Sequence, residues 1–242
     1  MSRLRAIYVL HMLAIGATAL SGCSRAPQST SSSAVAPAPA VPAADPAAPP
    51  PESGLQIKRG TVSVAQDRYL FQLCSSADRW SVQGGGPFEA LKKYAAGSPQ
   101  VLFIEARGEF AQAGAAVGAA GNFVIQELLY AAPSSEHSAC ATARGDYKVW
   151  AGGTEPSWSI KIRGDTMTFT QRDAAAHEFV LADAADAEGA VVYRATAADS
   201  QSLELIVTRE PCRESKTGEY FGFSARAGSG KQTLQGCARP GE

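Results

Sequence analysis

Few residues of this 242-residue chain are equipped for chemistry: five cysteines and three histidines are the scarce reactive types. His177-Glu178 opens like a zinc-protease helix, but that motif needs its second histidine at position 181, where Leu181 stands. Ser229-Gly230-Lys231-Gln232-Thr233 has the look of a phosphate-binding loop. Yet Gln232 follows the lysine where Ser or Thr is required, and Ala225 holds the first-glycine position. No Gly-x-Ser-x-Gly elbow presents a serine nucleophile. Glu155 and Asp165 are acidic, but they read as solvated residues on opposite sides of a hairpin. No set of residues brings nucleophile, base and oxyanion donors together. The expectation is a binding protein without turnover, with no metal and no cofactor.

Cys23 carries a different chemistry. Arg3 and Arg5 precede an uncharged run, Ala6 to Leu20, that is shorter than the roughly 20 residues a membrane-spanning helix needs. The run ends in Leu20-Ser21-Gly22-Cys23, which resembles the lipobox of bacterial lipoproteins. Small residues ahead of the cysteine let the segment enter a peptidase extended, and the thiol supplies the atom that is acylated. Residues 1–22 then form a signal peptide, and acylated Cys23 joins the chain to a lipid bilayer. Several acyl chains on one residue hold far better than one. Ser24 in place of Asp implies sorting to the outer membrane, with the folded part in the periplasm.

Without residues 1–22 the chain has 20 Lys and Arg against 23 Asp and Glu. That balance argues against a nucleic-acid partner, which needs a concentrated basic face. Four cysteines then remain in an oxidising compartment, and an even number there suggests two disulfides. Cys212 and Cys237 bracket the last hairpin, and Cys74 can close one strand end against the segment around Cys140. The expected pairs are therefore Cys74–Cys140 and Cys212–Cys237, each worth roughly 3 to 4 kcal/mol by loop-closure entropy as an upper value.

Positions 23–54 hold the acylated cysteine and a tether. Its last 31 residues include eight prolines and nine alanines and almost no large apolar side chain. Such a segment cannot bury enough surface to offset its ordering entropy, and it reaches roughly 95 Å at full polyproline extension.

From Leu55 the pattern changes to short alternating apolar runs. Val62 and Val64, then Tyr69, Phe71 and Leu73, then Arg79 to Val82 read as three strands. Gly84 to Gly86 break the sheet, and Pro87 starts a helix with Phe88, Leu91 and Tyr94 or Ala95 on one face. Val101 to Ile104 and Phe123 to Tyr130 supply two more strands. Three strands, a helix and two strands is the order of an OB-fold, a five-stranded barrel, over 55–140. Residues 141–242 read as strand after strand: Trp158 to Ile162, Met167 to Phe169, Val191 to Ala195, Leu203 to Val207, Tyr220 to Arg226 and Gln232 to Cys237. That spacing predicts a small antiparallel β-barrel or sandwich. The alanine-rich stretches 174–176 and 184–187 are expected in loops.

Two resemblances follow. Gly60-Thr61-Val62, Phe71-Gln72-Leu73-Cys74, Arg79-Trp80-Ser81-Val82 and Val101 to Gly108 resemble the OB-fold domain of NlpE-type envelope lipoproteins. That family's copper-associated Cys-x-x-Cys lies in a separate barrel that has no counterpart here, so copper is not implied. Gly153 to Trp158, Cys212 to Tyr220 and Leu234-Gln235-Gly236-Cys237 resemble a family of uncharacterised bacterial envelope proteins. Both imply a compartment and a domain type.

Three glycines, Gly114, Gly118 and Gly121, mark the connection between strands four and five, which OB-folds use for ligands. Glu155-Pro156-Ser157-Trp158 is either a packed corner or an exposed aromatic platform. The expected function is a tethered binding or adaptor module for an envelope protein or glycan. An inhibitor of peptidoglycan-active enzymes is the alternative; it would need an exposed tip, for which Ser215-Lys216-Thr217 is the candidate. A hydrolase is disfavoured. Cys23→Ala should abolish metabolic lipid labelling and block normal signal cleavage. A processed variant still partitioning with membranes would contradict the anchor.

Overall fold

The computed structural model describes residues 55–97, 101–112, 114, 117–134, 140–141, 145–229 and 232–241. Cys23 and the tether therefore lie outside the described residues.

The first barrel is built from β1 (Ile57–Ala65), β2 (Arg68–Leu73), β3 (Arg79–Gly84), α1 (Gly86–Ala95), β4 (Val101–Ala111) and β5 (Gly121–Pro133). The order β1-β2-β3-β5-β4 closes on itself, antiparallel throughout except for the parallel β3–β5 pair. This is the OB-fold topology that the element order predicted. Alternation explains it: Val62, Phe71 and Val82 point inward from β1, β2 and β3 and are fully or almost fully buried. Gln66 and Asp67 both take positive φ in the two-residue β1–β2 turn, the twist that suits a tight hairpin. Phe71 stacks on Phe123 at 4.5 Å, and α1 turns Leu91 and Tyr94 into the same core. Register shifts after Glu105 and Arg107 bend β4 along the long β5, as bulges do.

The second unit is a closed barrel, not a sandwich. Its strands are β6 (Val149–Thr154), β7 (Ser157–Arg163), β8 (Thr166–Gln171), β9 (His177–Ala187), β10 (Ala190–Thr196), β11 (Ser202–Thr208), β14 (Phe223–Ser229) and β15 (Gln232–Pro240), antiparallel in that circular order. Trp158, Ile160 and Ile162 alternate inward from β7 and meet Met167, Phe179, Tyr193, Leu205 and Leu234. These side chains fill the interior.

Two sequence expectations change. Residues 184–187 are not a loop: they form the end of β9 and pair with Ala190–Tyr193. Positive φ at Glu188 and Gly189 makes a hairpin turn there, and pairing with Val191 and Val192 overrides the poor strand preference of alanine. Tyr220 to Arg226 is not one strand either. β12 (Cys212–Arg213) and β13 (Tyr220–Phe221) form a hairpin that leaves the second barrel, and β13 pairs with β5 of the first. The chain crosses back at Gly222, whose amide donates to Leu129 O at 2.9 Å. A Cβ there would lie 2.5 Å from Leu128 O, so only glycine fits the crossing.

The seam between the barrels is charged and aromatic. Glu105 on β4, 1% exposed, is shared by Arg59 (3.1 Å) of its own barrel and Arg239 (3.3 Å) of β15. Arg239 also lies over the Tyr130 ring at 4.5 Å, and Trp150 stacks on Phe221. A second carboxylate repeats the plan: Glu127 on β5 takes Arg107 and Arg209, both at 2.6 Å.

Candidate functional site

Gly114 and Gly118 sit in the β4–β5 connection with φ of +71° and +84°, which a Cβ would strain. Val117 beside them is 93% exposed. Gly121 does not join that surface. It is buried at the start of β5, where a Cβ would come within 2.6 Å of the Trp80 ring. The end of the connection is tied down by Ala120 N–H donating to Arg79 O at 2.8 Å. The glycines thus divide into an exposed tip and a packing position.

The second barrel carries more relief. Both disulfides form as the cysteine positions suggested, Cys74–Cys140 and Cys212–Cys237, with Cα–Cα distances of 5.3 and 5.5 Å. The second one joins the β12–β13 hairpin to β15, so it fastens an element of the first sheet to the second barrel. Ser215, Lys216 and Thr217 are exposed at the hairpin's turn.

That turn is held from beneath by Glu214, only 8% exposed. Its carboxylate accepts the amides of Lys216 (2.8 Å) and Thr217 (2.7 Å), the Ser215 hydroxyl at 3.4 Å, and the hydroxyl of Thr154 from the β6–β7 turn. Backbone bonds from Gly218 to Glu214 and from Glu214 to Glu219, each 2.9 Å, close the loop. Gly218 supplies the positive φ, +70°, that the closure needs. Glu219 in turn accepts from Tyr130 at 2.6 Å, docking the hairpin on β5. Burial and that bond to Glu219 push the Tyr130 phenol well above its ordinary range.

Burial alone would raise the carboxyl of Glu214, but the hydrogen bonds from Thr154, Thr217 and Lys216 outweigh it and hold it at about 2. So acidic a group is a poor base for the adjacent Ser215 hydroxyl near neutrality. Glu214 shapes the turn.

Three clefts adjoin one another here. The largest, about 670 Å³, runs beneath the hairpin and is lined by Glu214, Arg213, Glu210, Arg226 and the Cys212–Cys237 bridge. It shares Thr154 and Glu155 with a second of about 560 Å³ that also takes in Arg172 and Lys216. That one shares Gln171 with a third, about 210 Å³, at the barrel mouth.

The remaining sequence candidates are dispersed. Trp158 is a core residue whose Nε1 donates to Gln235 O at 3.1 Å, so it offers no exposed platform. Glu155 and Asp165 lie in the turns at opposite ends of β7. His177 packs on Phe179 at 4.8 Å. Among the described residues no three His, Cys, Asp or Glu side chains group as metal ligands. Ser229 and Gln232 pair as the ends of β14 and β15; Gly230, Lys231 and His137 lie outside the described residues. The Glu214 lock was missed because a single glutamate in a polar stretch carries no periodic signal. No family model, no curated protein and no solved structure matches the chain.

Glu214 titrates near 2 folded and near 4.5 free. Its contribution to stability is therefore complete above about pH 4.5 and lost as pH falls through about 2. Urea midpoints measured between pH 5 and 2 should fall more steeply for the native chain than for Glu214→Gln. Parallel pH profiles would contradict the lock.

Proposed function

We propose that this protein is an outer-membrane-anchored binding or adaptor module of the cell envelope, with no reaction of its own. The observation that carries the reading is the β12–β13 turn, exposed at Ser215–Thr217 and immobilised by Glu214, by the Cys212–Cys237 bridge and by Tyr130–Glu219. A turn already fixed in one shape loses little further entropy on binding, which favours recognition. The signal peptide, the acylated Cys23 and the long tether supply the location. The resemblance read in the residues of both halves to envelope proteins, the first to NlpE-type lipoproteins, points to the same compartment.

The alternative, an inhibitor of peptidoglycan-active enzymes, draws on the same observation, since it requires an exposed basic or serine tip. In that reading Lys216 and Ser215 enter the partner's cleft.

Site-specific photo-crosslinking in living cells tests the proposal. A probe at position 216 should give one discrete adduct. A probe at Glu188, in a turn at the other end of the barrel, should give none, and Glu214→Ala should reduce the 216 adduct several-fold. Equal labelling at both positions, or no adduct at either, overturns the hairpin as the contact. An adduct with a peptidoglycan hydrolase, together with slower digestion of purified sacculi by that enzyme, would select the inhibitor.

A further inference from the structure

The cleft at the mouth of the second barrel has a composition unlike its neighbours. Three glutamines reach it from separate segments, Gln171 from the end of β8, Gln201 from the β10–β11 turn and Gln232 from the start of β15. Phe169 and Phe179 form an apolar floor, 9% and 1% exposed, and His177 stands at the wall. Among the described residues its lining holds no Asp, Glu, Lys or Arg, and the adjacent Asp199 carboxylate is bonded to Gln201.

Each feature narrows the ligand. A lining that, among the described residues, has no carboxylate, ammonium or guanidinium side chain gives an ion no strong partner within it, and Asp199 beside it is already engaged by Gln201. An apolar molecule would strip water from three amides and return no hydrogen bonds. A side-chain amide both donates and accepts. A sugar ring presents the complement, hydroxyls that do both, with C–H faces that suit an apolar floor. Gln201 Nε2 already donates to Asp199 at 2.8 Å, which orients that amide. At about 210 Å³ the space is of the order of one pyranose ring.

Through Gln171 the mouth opens onto the cleft where Arg172 and Lys216 face one carboxylate, Glu155. The hydroxyl of Ser157 and the amide of Gln171 add donors there. A neutral subsite next to one with a surplus of cations fits a neutral sugar joined to a carboxylate-bearing one.

We propose that this end of the second barrel binds an acidic glycan, a neutral ring in the glutamine-lined mouth and the carboxylate of its neighbour against Arg172 and Lys216. The proposal rests on the reading of the protein as an envelope binding module, and it names the ligand class.

Nuclear magnetic resonance on the full acylated chain in detergent micelles tests it with two probes. One is the neutral disaccharide of N-acetylglucosamine; the other is N-acetylglucosaminyl-N-acetylmuramic acid, which differs by its lactyl carboxylate. Both should shift the side-chain amide signals of Gln171, Gln201 and Gln232, and Gln232→Ala should weaken both. The acidic disaccharide should bind roughly threefold tighter at low salt, as an exposed ion pair allows. That gain should vanish in Arg172→Ala and at high ionic strength, with neutral binding retained. Shifts absent from the glutamines, or equal affinity for the two sugars, would overturn the acidic-glycan assignment. The crosslink at position 216 to a protein partner would survive that result, so the two failures can be told apart.

Discussion

A carboxylate taken out of water must be compensated, and Glu105 draws part of that compensation from across the contact between the two barrels. At 1% exposure it needs both Arg59 and Arg239, one from each barrel. Without the second barrel Glu105 would lose the Arg239 contact. Glu127 imposes the same condition a short distance along the seam, taking Arg107 from the first barrel and Arg209 from the second. Two such pairs fix both the position and the rotation of one barrel against the other. The aromatic contacts around Arg239 keep water from the first pair, which strengthens it.

The hairpin depends on this seam. β13 adds to β5 only if the second barrel delivers it there, and the Cys212–Cys237 bridge and Gly222 set the lengths of its two legs. Glu214 then draws the β6–β7 turn, through Thr154, and the hairpin turn into one rigid rim. The clefts beneath and beside that rim inherit their shape from it. Among the described residues, the barrel interiors are filled by core side chains and the clefts lie at the surface.

Much of this was legible in the residues. Val62, Phe71 and Val82 alternate plainly, and Pro87 with Leu91 marks the helix, so the OB order could be read. The cysteines paired as their positions relative to the hairpins suggested. What escaped reading was long-range or locally atypical. Ala184–Ala187 has the composition of a loop and becomes strand only through its partner β10. Gly222 looks like any glycine until the strand changes sheets there. Glu105 and Arg239 lie 134 positions apart, and nothing local in either residue announces the other. The largest cleft likewise joins residues from five strands and turns that the sequence keeps apart.

The hairpin and its clefts hold their shape only if the two barrels form one body. Differential scanning calorimetry of the oxidised chain tests this most directly. One transition with equal calorimetric and van't Hoff enthalpies is the result expected if Glu105 and Glu127 lock the seam. Two resolved transitions, each with its own enthalpy, would show that the barrels fold independently, and the seam could not then hold the hairpin and its clefts in place.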